Sequence, residues 1–168
     1  MKKLVLLLGL VSSIFAHTGV HEAGGFMSGL LHPISGLDHI LAMVGVGMVA
    51  YFASQKGFLA IGAFMGSMIL AALLGYSGMA MVGVEEGILL SIAVVFLLVG
   101  FASKMPTYFI AAIIAFFGFF HGFAHGAEFA TGSFVSFIAG FSISTLVLHL
   151  SGLALAYGYD KKVANATL

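Results

Sequence analysis

Two short clusters of histidine and acidic residues interrupt an otherwise apolar sequence. The first is HPISGLDH at residues 32–39, and the second is HGFAHGAE at residues 121–128. Only 7% of the chain is charged, and an ionisable side chain at the centre of a bilayer costs about 3 kcal/mol. Imidazole and carboxylate groups suit borderline divalent transition metals. The clusters therefore predict a polar metal site inside a membrane protein.

The second cluster has the spacing of a ligand stripe on one helix. His121 and His125 are four residues apart, and Glu128 follows three residues later, so the three side chains share a helix face. Two such imidazoles can bind one ion, and the carboxylate can complete or neutralise the set. A polar core satisfied by hydrogen bonds is the alternative, but ionisable residues inside a membrane are functional by default.

The first cluster reads as the start of a helix. Pro33 is predicted to occupy the first helical position, with His32 directly before it. His32, Ser35 and His39 would then lie on one face. Asp38 points about 100° away from His39 and is expected either to ligate an ion or to orient a neighbouring imidazole.

Four more side chains are secondary candidates for metal binding. Met43 lies one turn beyond the first cluster, where packing is the commoner role of a thioether. His149 lies near the middle of the last predicted helix, and both a hydrogen bond to another helix and a role as a deeper ligand are open. His17 and His21 follow the leader and could chelate metal, although chain termini are usually disordered.

Composition excludes several other classes of protein. The chain has 168 residues, 61% of them hydrophobic, and a mean hydropathy of +1.18, which is typical of an integral membrane protein. Net charge is zero, and without a basic tract no nucleic-acid partner is expected. The absence of cysteine excludes disulfides, thiolate ligands and iron–sulfur clusters. No phosphate-binding P-loop motif is present.

These clusters must be positioned by membrane helices. Residues 1–16 resemble a signal peptide, with two lysines, a short apolar core and a small-residue cleavage region. Residues 17–168 are predicted to form a single transmembrane domain, with residues 24–31 as an interfacial lead-in. The predicted fold is an all-α bundle of five transmembrane helices, about 36–53, 58–76, 86–102, 108–127 and 134–157. Each is long enough to cross a hydrocarbon core of ~30 Å.

Charge predicts how the bundle is oriented. A cleaved leader places residue 17 outside, so that Lys56, Lys104, Lys161 and Lys162 all fall on the cytoplasmic side, as the positive-inside rule requires. The prediction is a multi-pass protein of the bacterial cytoplasmic (inner) membrane, with a periplasmic mature N-terminus and a cytoplasmic C-terminus. Both clusters then lie at the external face, and they converge if the first and fourth helices touch.

Spaced glycines predict close helix packing. Gly62 and Gly66 form one Gly-x-x-x-Gly pair, and Gly118, Gly122 and Gly126 form a double one on the fourth helix. Small residues at this spacing let membrane helices approach closely. A close crossing would also bring side chains of another helix within ligand distance.

Both clusters resemble known family motifs. His-Pro-x-Ser-Gly-x-Asp-His-x-Leu-Ala-Met at residues 32–43 resembles the first signature of the HupE/UreJ family of hydrogenase and urease accessory permeases. Phe-His-Gly-Phe-Ala-His-Gly-Ala-Glu at residues 120–128 is similar to the second. The resemblance implies uptake of nickel, with cobalt as a second candidate, for nickel-enzyme maturation. The functional residues that it implies are His32, Asp38, His39, His121, His125 and Glu128.

The function that we predict is a secondary permease or facilitator and not an enzyme. Its predicted substrate is a divalent cation, first of all Ni²⁺. The protein is expected to contact membrane lipid and to have no permanent cofactor. Inward movement of a divalent ion across ~100 mV releases about 4.6 kcal/mol. Because ligation requires neutral imidazole, uptake is expected to fall as the pH drops through about 6.5. The oligomeric state stays open.

Three other classes of protein compete with this prediction. An intramembrane zinc hydrolase could use Ser35, Asp38 and three histidines to activate water. A haem-binding electron carrier could use paired histidines. A structural subunit could use the polar clusters to hold helices together.

Overall fold

The computed structural model describes residues 24–53 and 56–166. The predicted signal peptide, His17 and His21 lie outside the described residues. Within the described ranges the chain is helical, and its one β-bridge is an isolated pairing of Gly24 with Gly132. The helices are α1 (Phe26–Ser35), α2 (Leu37–Phe52), α3 (Phe58–Tyr76), α4 (Val84–Phe101), α5 (Thr107–Glu128) and α6 (Phe134–Ala166).

Four of these helices, α3 to α6, are long and apolar enough to cross a membrane. The pair α1 and α2 is a fifth candidate, because the two helices meet the same criteria together despite a bend of 85° between them. The prediction of an all-α bundle with several membrane-spanning helices is therefore confirmed. Hydropathy was sufficient for this because uninterrupted apolar runs of this length have few other uses.

The predicted bounds of the first helix, 36–53, agree with α2, but the position predicted for Pro33 is wrong. Pro33 lies inside the last part of α1 rather than at the first position of a new helix, and the break falls at Gly36, whose backbone is extended (φ −111°, ψ 128°). The Ser35 hydroxyl donates to the His32 carbonyl at 2.7 Å, which satisfies a carbonyl that the helix end leaves open. His32 and His39 consequently stand on two helices across the bend, and not on one face of a single helix.

The last predicted helix ends too early. Helix α6 continues past Tyr157 to Ala166, and side chains 157–165 are exposed. The added segment contains Asp160 and Lys161, and residues of these types remain helical in water although a hydropathy window excludes them. The three middle helices end within two residues of their predicted bounds.

Helices α3 and α5 form the most closely packed pair. Their backbones touch at the spaced glycines of α5, because a Cβ on Gly122 would overlap the Met68 carbonyl and a Cβ on Gly126 would overlap that of Ala72. The packing predicted for these glycines is confirmed. For Gly62 and Gly66 the prediction of close packing against another helix of this chain is wrong. Both residues are exposed, and a Cβ on either would meet nothing within 4 Å. They lie on the face of α3 that points away from α5.

Helices α1 and α2 pack instead against α6. A Cβ on Gly47 would overlap the His149 carbonyl, and a Cβ on Gly152 would overlap that of Val44. Gly29 of α1 approaches the α6 backbone equally closely at Phe137. The bundle therefore contains two groups, α3 with α5 and α1–α2 with α6, and each is joined by backbone contact at glycines. Helix α4 packs against both α2 and α5 and so connects the two groups.

One end of the bundle, here called the lysine end, carries Lys56, Lys104, Lys161 and Lys162. The Lys56 ammonium donates to the Tyr108 hydroxyl at 3.4 Å, and the Tyr51 hydroxyl donates to Asp160 at 2.9 Å. These contacts join the loop between α2 and α3, the start of α5 and the end of α6. The grouping of the lysines at one end is the distribution on which the positive-inside argument depends.

Candidate metal-binding site

Three histidines from three helices meet at the end of the bundle opposite the lysines. His32 of α1, His39 of α2 and His125 of α5 each offer a ring nitrogen, and these three atoms lie within 4.8 Å of one another. We call these residues the histidine triad. Among the residues that the structure describes, it is the one group of three or more histidines and acids with this geometry. It draws on both sequence motifs.

The spacing of the triad suits a single cation. Nε2 of His39 and Nε2 of His125 are 2.8 Å apart. Two imidazole nitrogens bound to one ion at about 2.1 Å, at right angles, would be about 3 Å apart. Without an ion, one of these nitrogens donates a hydrogen bond to the other.

The triad is buried and walled by aromatic rings. His39 is 1% and His125 2% exposed, whereas His32 is half-buried. The ring of Phe141 lies 4.5 Å from that of His125, and the ring of Phe137 lies 5.9 Å from that of His32. Apolar walls exclude water and lower the local dielectric constant, so an ion held here interacts strongly with its ligands and with nearby charges.

Asp38 supports the triad through His39. Its Oδ2 lies 3.1 Å from Nδ1 of His39, and the carboxylate is buried with the ring. A carboxylate beside Nδ1 favours the tautomer that carries its proton there, so the lone pair remains on Nε2, which faces the triad. Gly36 makes room for this arrangement, because a Cβ on it would lie 2.6 Å from Oδ1 of Asp38.

His121 lies next to the triad but does not belong to it. Its ring centroid is 5.4 Å from that of His39, and its Nε2 is 3.0 Å from the Ser91 hydroxyl. Since Ser91 gives its proton to the Ile88 carbonyl at 2.6 Å, the hydroxyl oxygen accepts from Nε2 of His121. The lone pair of His121 is therefore on Nδ1, a buried atom with no hydrogen-bond partner in the described part of the chain.

The other predicted residues lie elsewhere. Glu128 is the last residue of α5 and is exposed, outside the triad. Met43 is fully buried in the apolar core, where its side chain packs, and its carbonyl lies 2.7 Å from Nδ1 of His149. His149 is also outside the triad, farther from the end of the bundle.

Sequence reasoning missed Ser91 and the aromatic wall. Ser91 is separated from His121 by thirty residues, and a serine in an apolar helix gives no sign of its partner. Phe137 and Phe141 are two of seventeen phenylalanines, and only the packing of α6 distinguishes them. The useful signal would have been their spacing of four residues, which places both on one face of α6.

Comparison with known proteins gives a family and one well-covered relative. The family described as HupE / UreJ protein matches residues 5–167 of the chain. Protein HupE of Rhizobium leguminosarum bv. viciae is 43% identical over 154 residues, which cover 89% of this chain and 78% of the relative. No solved structure matches the chain.

Proposed function

Because the chain belongs to the HupE/UreJ family, we propose that it is a secondary permease or facilitator for a divalent transition-metal ion. The proposed substrate is Ni²⁺, with Co²⁺ as its competitor, and the imported ion supplies nickel-enzyme maturation. The observation that carries the proposal is the histidine triad, in which nitrogens from three helices lie within 4.8 Å of one another. A packing role alone does not call for three imidazoles at one point.

The chemistry of the donors favours transition metals. Imidazole selects against Mg²⁺ and Ca²⁺, which prefer oxygen ligands, and binds Ni²⁺, Co²⁺ and Zn²⁺ well. Asp38 beside the triad and Glu128 at the end of α5 supply negative charge that offsets the charge of the arriving ion. In this proposal the ion loses part of its water shell at the triad and then passes inward between the two groups of helices.

The proposed orientation places the triad at the periplasmic face and the lysine end in the cytoplasm. It is supported by the grouping of the lysines at the end opposite the triad. In this orientation the membrane potential drives uptake, since each charge crossing ~100 mV contributes about 2.3 kcal/mol. A divalent ion therefore needs no chemical energy source to accumulate.

Flux into proteoliposomes tests the proposal. Purified protein should admit ⁶³Ni²⁺ or Co²⁺ but not Mg²⁺, faster when the compartment facing the lysine end is negative. His125→Ala should remove this flux because it breaks the triad. Gly62→Ala is the matched control and should leave flux unchanged, since nothing lies within 4 Å of the added methyl. Equal flux for His125→Ala and the wild type would refute the assignment of the site.

A zinc hydrolase is the second candidate, because three imidazoles with Asp38 beside them would also suit a metal that activates water. Incubation of the Zn²⁺-loaded protein with lipid esters and amides separates the two functions. The permease proposal expects no turnover, and turnover without any metal flux would favour the hydrolase.

A further inference from the structure

Helix α6 carries a second polar stripe deeper in the bundle. Ser142, Thr145 and His149 are spaced by three and four residues and so share one helix face. Thr145 and His149 are fully buried. Within the described residues, the Thr145 and Ser142 hydroxyls and Nε2 of His149 have no hydrogen-bond partner. A buried polar group left unpaired costs about 1–3 kcal/mol, so three on one face indicate a ligand.

The hydrogen bond made by His149 leaves its other nitrogen ready to bind a cation. Nδ1 lies 2.7 Å from the Met43 carbonyl, and a carbonyl can only accept, so Nδ1 carries the proton. The lone pair is then on Nε2. Histidines that ligate metals are held in the same way, with the second ring nitrogen donating to a carbonyl or carboxylate.

His149 lies between the triad and the lysine end of the bundle. Met43 follows His39 by one helical turn. The His149 ring, which contacts the Met43 carbonyl, therefore lies about 5–6 Å deeper in the bundle than the triad. The ring of Phe64 lies beside two histidines, with its centroid 5.6 Å from that of His121 and 5.1 Å from that of His149. Farther along α6, Leu153 lines a cavity of about 580 Å³ at the lysine end, where Asp160 lies.

We propose that His149 is a second, inner binding site for the transported ion, with Nε2 as its ligand atom and the Thr145 hydroxyl as an oxygen donor. This inference rests on the proposed function and adds a step to it. The inner site has one imidazole and no carboxylate among these donors, so it binds more weakly than the triad. Transport requires sites that accept an ion and also release it, and weaker binding on the inner side favours release inward.

His149→Asn tests the ligand without removing the structural contact. The asparagine amide can still donate to the Met43 carbonyl but offers nothing in place of Nε2. We expect flux of Ni²⁺ to fall at least about tenfold, the range typical of lost metal-site contacts, while the melting temperature without metal stays at the wild-type value. Thr145→Val keeps the shape of the side chain and should lower flux less. Wild-type flux in His149→Asn would overturn the proposal.

Binding of Co²⁺, followed by its visible absorption in the detergent-solubilised full chain, separates this proposal from the one on which it rests. His149→Asn should retain the strong site of the triad. When His32, His39 and His125 are all replaced by alanine, a weak site should remain and should disappear when His149→Asn is added. A residual site unaffected by His149→Asn, or no residual site at all, would contradict the inner site. Absence of flux in the wild type would refute the permease assignment instead, whatever His149 binds.

Discussion

Replacement of Gly36 by alanine should weaken metal binding while the protein still folds. The added methyl would lie 2.6 Å from Oδ1 of Asp38 and 3.1 Å from Nδ1 of His39, both closer than non-bonded contact allows. The atom that must move is the end of a flexible carboxylate, so the backbone can stay in place. The contact of 3.1 Å between Asp38 and His39 would then be lost.

The expected magnitude follows from the role of that contact. Loss of a group that orients a metal-bound histidine typically costs 10–100-fold in affinity, which is about 1.4–2.7 kcal/mol. Two contributions to stability oppose each other. The backbone of Gly36 (φ −111°, ψ 128°) suits any residue, so alanine there stabilises the fold by about 0.4–1 kcal/mol, whereas a buried polar group that loses its contact costs about 1–3 kcal/mol. The protein should therefore stay folded with a modestly lower free energy of unfolding.

Isothermal titration with Ni²⁺ and thermal unfolding without metal measure the two effects separately. Gly25→Ala is the matched control, because nothing lies within 4 Å of a Cβ at that position. In an Asp38→Asn background, Gly36→Ala should add little, since both changes act on one contact. Affinity within twofold of the wild type would refute the reasoning.

Three further predictions concern the packing, the neighbour of the triad and pH. Gly122→Ala should lower the melting temperature and the yield of folded protein, because its methyl overlaps the Met68 carbonyl, whereas Gly66→Ala should unfold like the wild type. Ser91→Ala removes the acceptor for Nε2 of His121, so thermal unfolding should show a loss of about 1–3 kcal/mol. Uptake should fall as the external pH is lowered, because protons compete with the cation for the imidazole nitrogens, and flux that never falls at any acid pH at which the protein stays folded would count against histidine ligation.

Much of the fold could be predicted because the positions of membrane helices depend mainly on one property of the sequence, its hydropathy. Apolar runs long enough to cross a bilayer gave α3, α4 and α5 nearly to the residue, and ionisable side chains inside such runs marked both motifs. Hydropathy says nothing about helix residues outside the bilayer, so the end of α6 was missed. The bend at Gly36 was missed because Pro33 was assigned to the first turn of a helix, where proline is best tolerated, and not to the end of one.

The sequence could not predict which histidines form the triad, and the reason is geometric. His121 and His125 lie on one face of α5, so spacing alone makes them equal candidates. Which of them meets His39 depends on how far α5 is shifted along the bundle axis, and the glycine contacts of α5 with α3 determine that shift. Ser91 then accepts a hydrogen bond from Nε2 of His121, which leaves the lone pair of that ring on Nδ1, outside the triad.

The two glycine-joined groups of helices meet along a seam, and the triad lies across it. His32 and His39 belong to the group built on α6, while His125 belongs to the group built on α3. Any displacement of one group against the other would therefore divide the coordinating atoms, two on one side and one on the other. A cation bridging the seam would add one link between the groups to the packing of α4 against both, and its departure would remove that link.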